Sequence, residues 1–405
     1  MPEAKPIDVS PLIAWLQAGT PGAPTADAVL DRFAALLVAG GIPAYRIHVF
    51  VRTLHPDILG RAFVWCEGKP VETREMDYGI LKTKAFLDNP IPDVVRTRAA
   101  VRRKLCDPAT PDDYPLLAEL RAESVTDYIV YPLLFSNGEI HLASFTTRAT
   151  DGFSDAQVAA LDSVVSPLAR VAEIFALRRT ATTLLNTYVG RGAGARILSG
   201  QIRRGHGEEI DAAIWLSDLR GFTALADELP GATLIELMNG HFERMVDAVE
   251  NAGGEVLKFI GDGLLAIFPL GPERNRAAAC AAALRAAREA HDGQAVFGTY
   301  PDGRPITLSF RIALHVGRVL YGNIGGARRL DFTAMGPAVN LVARLERVSS
   351  ALGRSPIVSA EFAAACGEPL EPLGEHQLRG VRAPQVVYGL PAAAPALATE
   401  PSSVP

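Results

Sequence analysis

Two aspartates stand where an apolar run gives way to glycine. Asp218 follows the run 212–216, and Asp262 lies in Gly-Asp-Gly between the runs 256–260 and 264–268. Because Asp-Gly between two apolar runs is a strong hairpin signal, we expect Asp262 at a hairpin tip and Asp218 at a strand exit. Each acid alone is an ordinary turn former. Brought together at the rim of one sheet, the two carboxylates would make a site for a cation that prefers oxygen ligands.

Two further segments could serve a phosphorylated ligand. After Asp218, Arg-Gly-Phe-Thr leads into a helical pattern over 224–229, so the N–H groups near Phe222 and Thr223 would face outward at a helix start, which attracts phosphate. The segment 337–352 is predicted to be a helix with Pro in its first turn. Asn340 and Arg344 are four residues apart there, which places both on one face of the helix.

Four separated motifs then carry a family resemblance. In chain order they are SDLRGFT, LKFIGDG, GNIGGARRLDFTAMG and AVNLVARLE, and together they resemble the catalytic domain of class III nucleotidyl cyclases. The resemblance covers roughly the second half of the chain. It implies a ferredoxin-like sheet with helices, and a homodimer with the active site in the cleft between two copies.

The resemblance also implies a role for each motif residue. Asp218 and Asp262, with the backbone carbonyl of Leu219, would hold two Mg²⁺ or Mn²⁺ ions per site, which suits a ribose 3′-oxygen attacking the α-phosphorus of a triphosphate. Phe222 and Thr223 would give N–H contacts to the phosphates. Asn340 and Arg344 would stabilise the charge that develops at the α-phosphate.

Base selection depends on two positions. Lys258 stands four residues before Asp262, where adenine-specific relatives carry Lys and guanine-specific ones Glu. An ammonium can donate to adenine N1 but not to guanine N1–H, which is itself a donor, so ATP is the expected substrate. Thr333 holds the second position, and its hydroxyl can donate or accept, which keeps GTP open as the alternative.

Departures from the family pattern leave the roles of some residues open. Pro337 follows the glycine where relatives usually carry an acid or Asn, and it suits a first helical turn. The phosphate-binding Lys near the C-terminus has no direct counterpart, so Arg379 is the candidate replacement. Arg328 is a further candidate contact to the triphosphate, with an ordinary surface charge as the equal alternative.

Two other functions compete with the cyclase. A non-catalytic cyclase-like regulatory protein would be expected to lack a metal aspartate or the arginine, and Asp218, Asp262 and Arg344 are all present. A cyclic-dinucleotide synthase shares a palm-like fold and a hairpin acid, but IGDG lacks the GGDEF-type tip.

The elements that must position these residues form an α/β (α+β) chain. We predict a GAF-like sensory domain over 1–177, a helical coupling linker over 178–205 that breaks at Gly190, Gly192 and Gly194, the cyclase domain over 206–391 and a disordered tail over 392–405. The expected cyclase elements are strands at 307–316 and either side of an Arg-Gly turn within 376–390, and helices at 234–251 and 276–291.

The first domain is predicted from its pattern alone. A helix is expected over 25–38, strands over 45–54, 61–66, 127–135 and 139–147, and a long helix over 153–177 capped by Ser154. The closing order of strand, Ser-Asn-Gly turn, strand and helix resembles the second half of a GAF domain. Such a domain would receive an unknown small-molecule or protein signal. An unrelated α/β domain that only mediates dimerisation is the alternative.

The composition of the chain argues against nucleic-acid and membrane partners. The 405 residues carry a net charge of −5 and no basic block, so no nucleic-acid partner is expected. No run of about 18 uncharged apolar residues occurs, so we expect no membrane span and a cytoplasmic protein. Cys66, Cys106, Cys280 and Cys366 lack metal-type spacing, which favours reduced thiols.

Overall fold

The computed structural model describes residues 6–291, 296–300 and 303–391, without the side chains of 296–298. The predicted disordered tail, 392–405, lies outside the described residues. The chain divides into two compact units, and the boundary falls between Leu184 and Leu185.

Unit 1 combines an antiparallel sheet with helices. Its strands are β1 (Arg46–Arg52), β2 (Ile58–Cys66), β3 (Glu72–Asp77), β4 (Val101–Arg103), β5 (Asp127–Leu134) and β6 (Ile140–Thr147). Its helices are α1 (Ser10–Gln17), α2 (Ala26–Ala39), a short 3-10 helix (Tyr78–Lys82), α3 (Lys84–Leu87), α4 (Pro90–Thr97), α5 (Leu116–Ala122) and α6 (Asp155–Val189). Within the described residues the sheet order is β3-β2-β1-β6-β5-β4.

Local sequence explains these elements. The Thr25 side chain accepts a hydrogen bond from the Ala28 N–H and caps α2. Asn137 and Gly138 close the β5–β6 hairpin, and Gly138 takes a φ of +85° that glycine tolerates best. These predicted elements are confirmed, whereas the resemblance to a GAF domain stays a prediction.

Helix α6 is longer than the sequence pattern indicated. Ser154 and Gln157 form the expected capping box at its start, since each backbone N–H donates to the other side chain. The helix then continues unbroken to Val189, because 178–189 contains neither Gly nor Pro. Of the three glycines predicted to break the linker, only Gly190 does so, with a φ of +91°.

Unit 2 also combines helices with a large sheet. Its helices are α7 (Arg191–Leu198), α8 (Phe222–Glu228), α9 (Gly231–Asn251), α10 (Arg276–His291), α11 (Pro337–Leu352) and α12 (Ala360–Cys366). Its strands are β7 (Gly207–Leu219), β8 (Glu255–Ile260), β9 (Gly263–Pro269), β10 (Val296–Thr299), β11 (Pro305–Thr307), β12 (Phe310–Gly325), β13 (Leu330–Met335), β14 (Ile357–Ser359), β15 (Glu371–His376) and β16 (Gln385–Gly389).

The main sheet of unit 2 carries the predicted site. Within the described residues its order is β15-β16-β14-β12-β7-β9-β8, with β13 paired to β12 beside this path. Helices α9, α10 and α12 cover one face through Met245, Leu284 and Phe362. Helix α11 covers the other face through Val342 and Leu345. The mixed α/β class is confirmed in both units.

Two strand predictions in unit 2 are corrected. Residues 305–307 belong to β11, which pairs with β10, so the strand predicted from residue 307 begins at Phe310. It then runs through the glycines to Gly325, because β7 and β13 pair with it there. The strand predicted to start at His376 ends at that residue, since its partners in β16 lie opposite Glu371–His376.

Among the described residues, no helix has both the length and the apolar character needed to cross a bilayer.

Candidate active site

The two aspartates of the predicted cation site come together at one rim of the sheet. Asp218 is the second-last residue of β7, and Asp262 lies in the turn between β8 and β9. Strand β9 pairs with β7 up to Ser217 opposite Leu264, which brings the turn to the end of β7. Burial raises the pKa of Asp262, the charge of Asp218 adds to this, and a hydrogen bond from the backbone N–H of Leu219 opposes it.

Glycine at position 263 permits this approach. A Cβ atom there would lie 2.5 Å from the carbonyl oxygen of Ser217 and 3.6 Å from Oδ1 of Asp218. The first distance is shorter than a non-bonded contact allows. Any side chain at this position would therefore push the hairpin away from β7.

Arg311 binds Asp218 and was missed by sequence reasoning. Its Nη2 donates to Oδ2 of Asp218 at 2.9 Å, and its Nε lies 3.0 Å from Oε1 of Glu346. Nη1 also donates to the Ser350 hydroxyl on α11. Arg311 fits the alternation of its strand as a polar position, so no sequence signal singled it out, and its position opposite Asp218 depends on the β7–β12 register.

Glu346 is the second residue that sequence reasoning missed. Burial raises the pKa of its carboxyl group, Arg311 opposes the shift, and the charges of Asp218 and Asp262 add to it. Three carboxyl groups and one guanidinium thus influence one another at this rim.

The chemistry of the pair fits a divalent cation. Both side chains offer hard oxygen ligands of the kind that Mg²⁺ and Mn²⁺ prefer. Because the charge of Asp218 hinders ionisation of Asp262, a cation between them would relieve the repulsion. In the described part of the chain, no group of three or more His, Cys, Asp or Glu side chains could hold a metal. The remaining ligands would therefore be carbonyls, water or phosphate oxygens.

The predicted phosphate-binding turn lies directly after Asp218. Helix α8 begins at Phe222, two residues earlier than the pattern indicated, and Gly221 precedes it with a φ of +72°. Thr223 is exposed, while Phe222 packs against the core of unit 2. Leu219 is buried opposite Phe310 in the β7–β12 ladder.

Lys258 pairs with an acid that the sequence did not single out. Its Nζ donates to Oδ2 of Asp331 on β13, and both residues line a cavity of about 650 Å³. Thr333 does not line that cavity: the residue is 6% exposed, and among the described residues its buried hydroxyl has no hydrogen-bond partner. The structure therefore places Asp331, rather than Thr333, beside the Lys258 ammonium.

Asn340 and Arg344 lie on α11, and Arg344 is near the predicted C-terminal phosphate contact. A Cβ atom at Gly380 would be 3.5 Å from Nη2 of Arg344, so its guanidinium lies beside the turn that carries Arg379. Asn340, Arg328 and Arg379 are exposed.

Helix α11 separates the site residues into two groups. Glu346 faces Arg311 and the aspartates, whereas Arg344 faces the turn at Gly380. Two residues along an α-helix differ by about 200° in direction. Within one chain, Asn340 and Arg344 therefore lie on the side of α11 away from the acid pair.

The end of the linker is docked on the edge strand that carries Lys258. Oε1 of Glu255 accepts hydrogen bonds from the N–H of Ala193, at 3.0 Å, and from the Tyr321 hydroxyl, at 2.6 Å. A Cβ atom at Gly190 would lie 2.9 Å from the carbonyl oxygen of Val256. The linker glycines thus permit close packing against β8.

Replacing Asp262 by Asn should stabilise unit 2 at neutral pH when no metal is present. The folded protein raises the pKa of Asp262, so it holds the acid proton more tightly than the unfolded chain does. The stability gained from this tighter proton binding is present at low pH and is lost as pH rises through the pKa of the folded state. Asn carries no charge at any pH, so it avoids this loss. Urea denaturation with EDTA, with exposed Asp227→Asn as control, measures this effect. Equal or lower stability of Asp262→Asn at pH 7 would contradict it.

Replacing Gly263 by Ala should weaken Mn²⁺ binding by about tenfold or more, because the hairpin must move away from Ser217. Gly271→Ala is the matched control, since a Cβ atom at Gly271 meets nothing within 4 Å. Titration calorimetry with Mn²⁺ compares the two variants, and circular dichroism checks their folding. Equal Mn²⁺ affinity in both variants would show that this contact does not set the cation site.

Residues 207–389 match the model of the adenylate and guanylate cyclase catalytic domain. The chain is 29% identical over 239 residues to adenylate cyclase 2 of Rhizobium meliloti (strain 1021), which covers 56% of this chain and 61% of that protein. It is 28% identical over 146 residues to an adenylate cyclase of Anabaena cylindrica, covering 36% and 29% of the two chains.

The chain thus spans less than two thirds of the length of these relatives. Among solved structures, the adenylyl cyclase CyaB from P. aeruginosa is 24% identical, with a TM-score of 0.39, and the match covers 47% of this chain and 97% of that one. The family match runs from the first strand of the main sheet to its last. Residues 207–389 therefore belong to the adenylate and guanylate cyclase catalytic domain family.

Proposed function

We propose that this protein is an adenylate cyclase that converts ATP into 3′,5′-cyclic AMP and pyrophosphate. The observation that carries the proposal is the meeting of Asp218 and Asp262 at the end of β7, with Arg311 bound to Asp218. The adenylate cyclases among its relatives support the choice of reaction.

The reaction joins the ribose 3′-oxygen to the α-phosphorus while the bond from that phosphorus to pyrophosphate breaks, and the hydroxyl proton leaves to solvent. Asp218 and Asp262 would hold two Mg²⁺ or Mn²⁺ ions, whose chemistry is to lower the pKa of the 3′-hydroxyl and to neutralise the triphosphate. The N–H groups at Phe222 and Thr223 would orient the phosphates. The backbone carbonyl of Leu219 would be a further ligand to these ions.

Arg311 and Glu346 have a supporting role in this proposal. Arg311 neutralises Asp218 and lies between it and Glu346, so its guanidinium is held at the rim where a triphosphate would bind. A guanidinium matches the geometry of phosphate oxygens. Glu346, which is mostly buried, would keep Arg311 in that position.

The position of α11 favours an active site shared between two chains. Arg344 and Asn340 face away from the acid pair of their own chain. In a two-fold symmetric dimer, the same residues of the second copy can complete the site, and two equivalent sites result. Arg344 would then stabilise the charge at the α-phosphate, with Arg379 and Arg328 as further contacts to the triphosphate.

Base recognition would rest on Lys258 and Asp331. The ammonium can donate to adenine N1, and the carboxylate can accept from the adenine amino group. Thr333 can take part only if its buried hydroxyl becomes accessible. On guanine the same ammonium could donate to O6 and the same carboxylate could accept from N1–H, so a guanylate cyclase is the second candidate.

Unit 1 would regulate the cyclase as a GAF-like sensory domain, and helix α6 would connect it to the catalytic domain. The length of α6, which runs from Asp155 to Val189 without a break, supports a coupling role.

The purified protein should convert ATP to cyclic AMP in the presence of Mn²⁺, faster than it converts GTP to cyclic GMP. Mass spectrometry of the products identifies each nucleotide, and Asp262→Ala serves as the inactive control. A preference for GTP would establish the second candidate. If neither cyclic AMP nor cyclic GMP forms, the protein is a cyclase-like regulatory protein without activity.

Mixing Asp218→Ala chains with Arg344→Ala chains should restore activity that neither variant has alone. Each mixed dimer has one intact site, so an equal mixture should reach about a quarter of the wild-type rate. Asp218→Ala mixed with Asp262→Ala is the matched control, because both changes affect the same half of the site and no intact site can form. Equal rates in the two mixtures would rule out a shared site.

A further inference from the structure

Unit 1 contains a cavity that the proposed catalytic function does not use. It measures about 280 Å³ and lies between α2, strands β1 to β3 and helix α6. Its volume is close to the lower end of small-molecule pockets, about 300 Å³, and roughly twice that of an apolar cavity of about 150 Å³ that admits benzene. A small organic molecule can therefore fit.

The cavity walls are mostly apolar. Leu30 from α2, Val49 and Val51 from β1, Phe63 from β2 and Phe175 from α6 contribute the larger side chains. Alanines on the helices, including Ala172, leave the space between these groups. The body of a ligand must therefore be hydrophobic.

The polar groups at the mouth of the cavity differ in whether they are already paired. The Thr73 hydroxyl donates to Asp27, and Arg61 forms an ion pair with Glu75. Arg179 also lines the cavity and is exposed. Its guanidinium has no hydrogen-bond or ion-pair partner among the residues that the structure describes. An anionic group at the mouth would give Arg179 a partner.

We propose that this cavity binds a small amphipathic carboxylate, such as a medium-chain fatty acid or an aromatic acid. The apolar part lies against Leu30, Val51 and Phe175, and the carboxylate accepts hydrogen bonds from Arg179. Charge complementarity at Arg179 selects an acid over a neutral molecule of the same shape.

The position of the cavity ties binding to α6. Leu168, Val171, Ala172, Phe175, Ala176 and Arg179 line it from that helix. Their spacing of three and four residues defines one face of α6 over three turns. A bound acid therefore contacts a long stretch of the helix that continues to Val189. By mass action, such a ligand raises the unfolding temperature of the unit that binds it.

Titration calorimetry and thermal unfolding of the full chain with sodium octanoate test the proposal. We expect saturable binding of one octanoate per chain and a rise in unfolding temperature. 1-Octanol, which has the same chain without the charge, should bind about tenfold more weakly or worse. Arg179→Gln should reduce octanoate affinity to that of 1-octanol. Equal affinity for the two probes in the wild-type chain would overturn the carboxylate assignment.

A pair of variants on α6 tests the location. Ala172→Leu fills the cavity and should abolish binding of octanoate, whereas Ala181→Leu, on an exposed position of the same helix, should bind it normally. Unchanged octanoate binding by Ala172→Leu would overturn the site. If octanoate never binds and Ala172→Leu instead dissociates a dimer, a second copy covers the cavity and the proposal fails. These measurements do not require cyclase activity, so they fail or succeed independently of the proposed reaction.

Discussion

One close backbone approach underlies the candidate active site. At Gly263 the hairpin that carries Asp262 meets the carbonyl of Ser217 at the end of β7, with no room for a side chain between them. Two carboxyl groups held at this rim repel each other when both are ionised. The β7–β9 ladder maintains the arrangement despite that repulsion, and Arg311 offsets part of it. A cation bound between the two carboxylates, as in the proposed function, would relieve the remaining repulsion.

The rotation of helix α11 on the sheet sets the directions in which its polar residues point. Its buried stripe of Ala338, Val342 and Leu345 fixes the rotation of the helix on the sheet. Once that rotation is fixed, Glu346 must face the acids and Arg344 must face away. A packing requirement of the core thereby determines which residues of α11 lie beside the acid pair of their own chain and which lie away from it.

Much of this could be predicted from local sequence. The Gly-Asp-Gly hairpin, the helix over 337–352 and the capped start of α6 follow from turn chemistry, periodicity and capping, all of which involve neighbouring residues. The roles of Arg311, Glu346 and Asp331 could not be predicted in this way. Each depends on a partner more than thirty residues distant in the chain, and the strand register decides which partner that is.

The sequence by itself determined the family, the two acids and the elements that carry them, because motifs and periodic patterns are local properties of the chain. Only the tertiary structure decided that Thr333 is buried while Asp331 meets Lys258, and that a cavity opens beside α6. Burial and cavities arise from how distant side chains fill a shared space. The spacing of residues along the sequence does not specify how these distant side chains pack together.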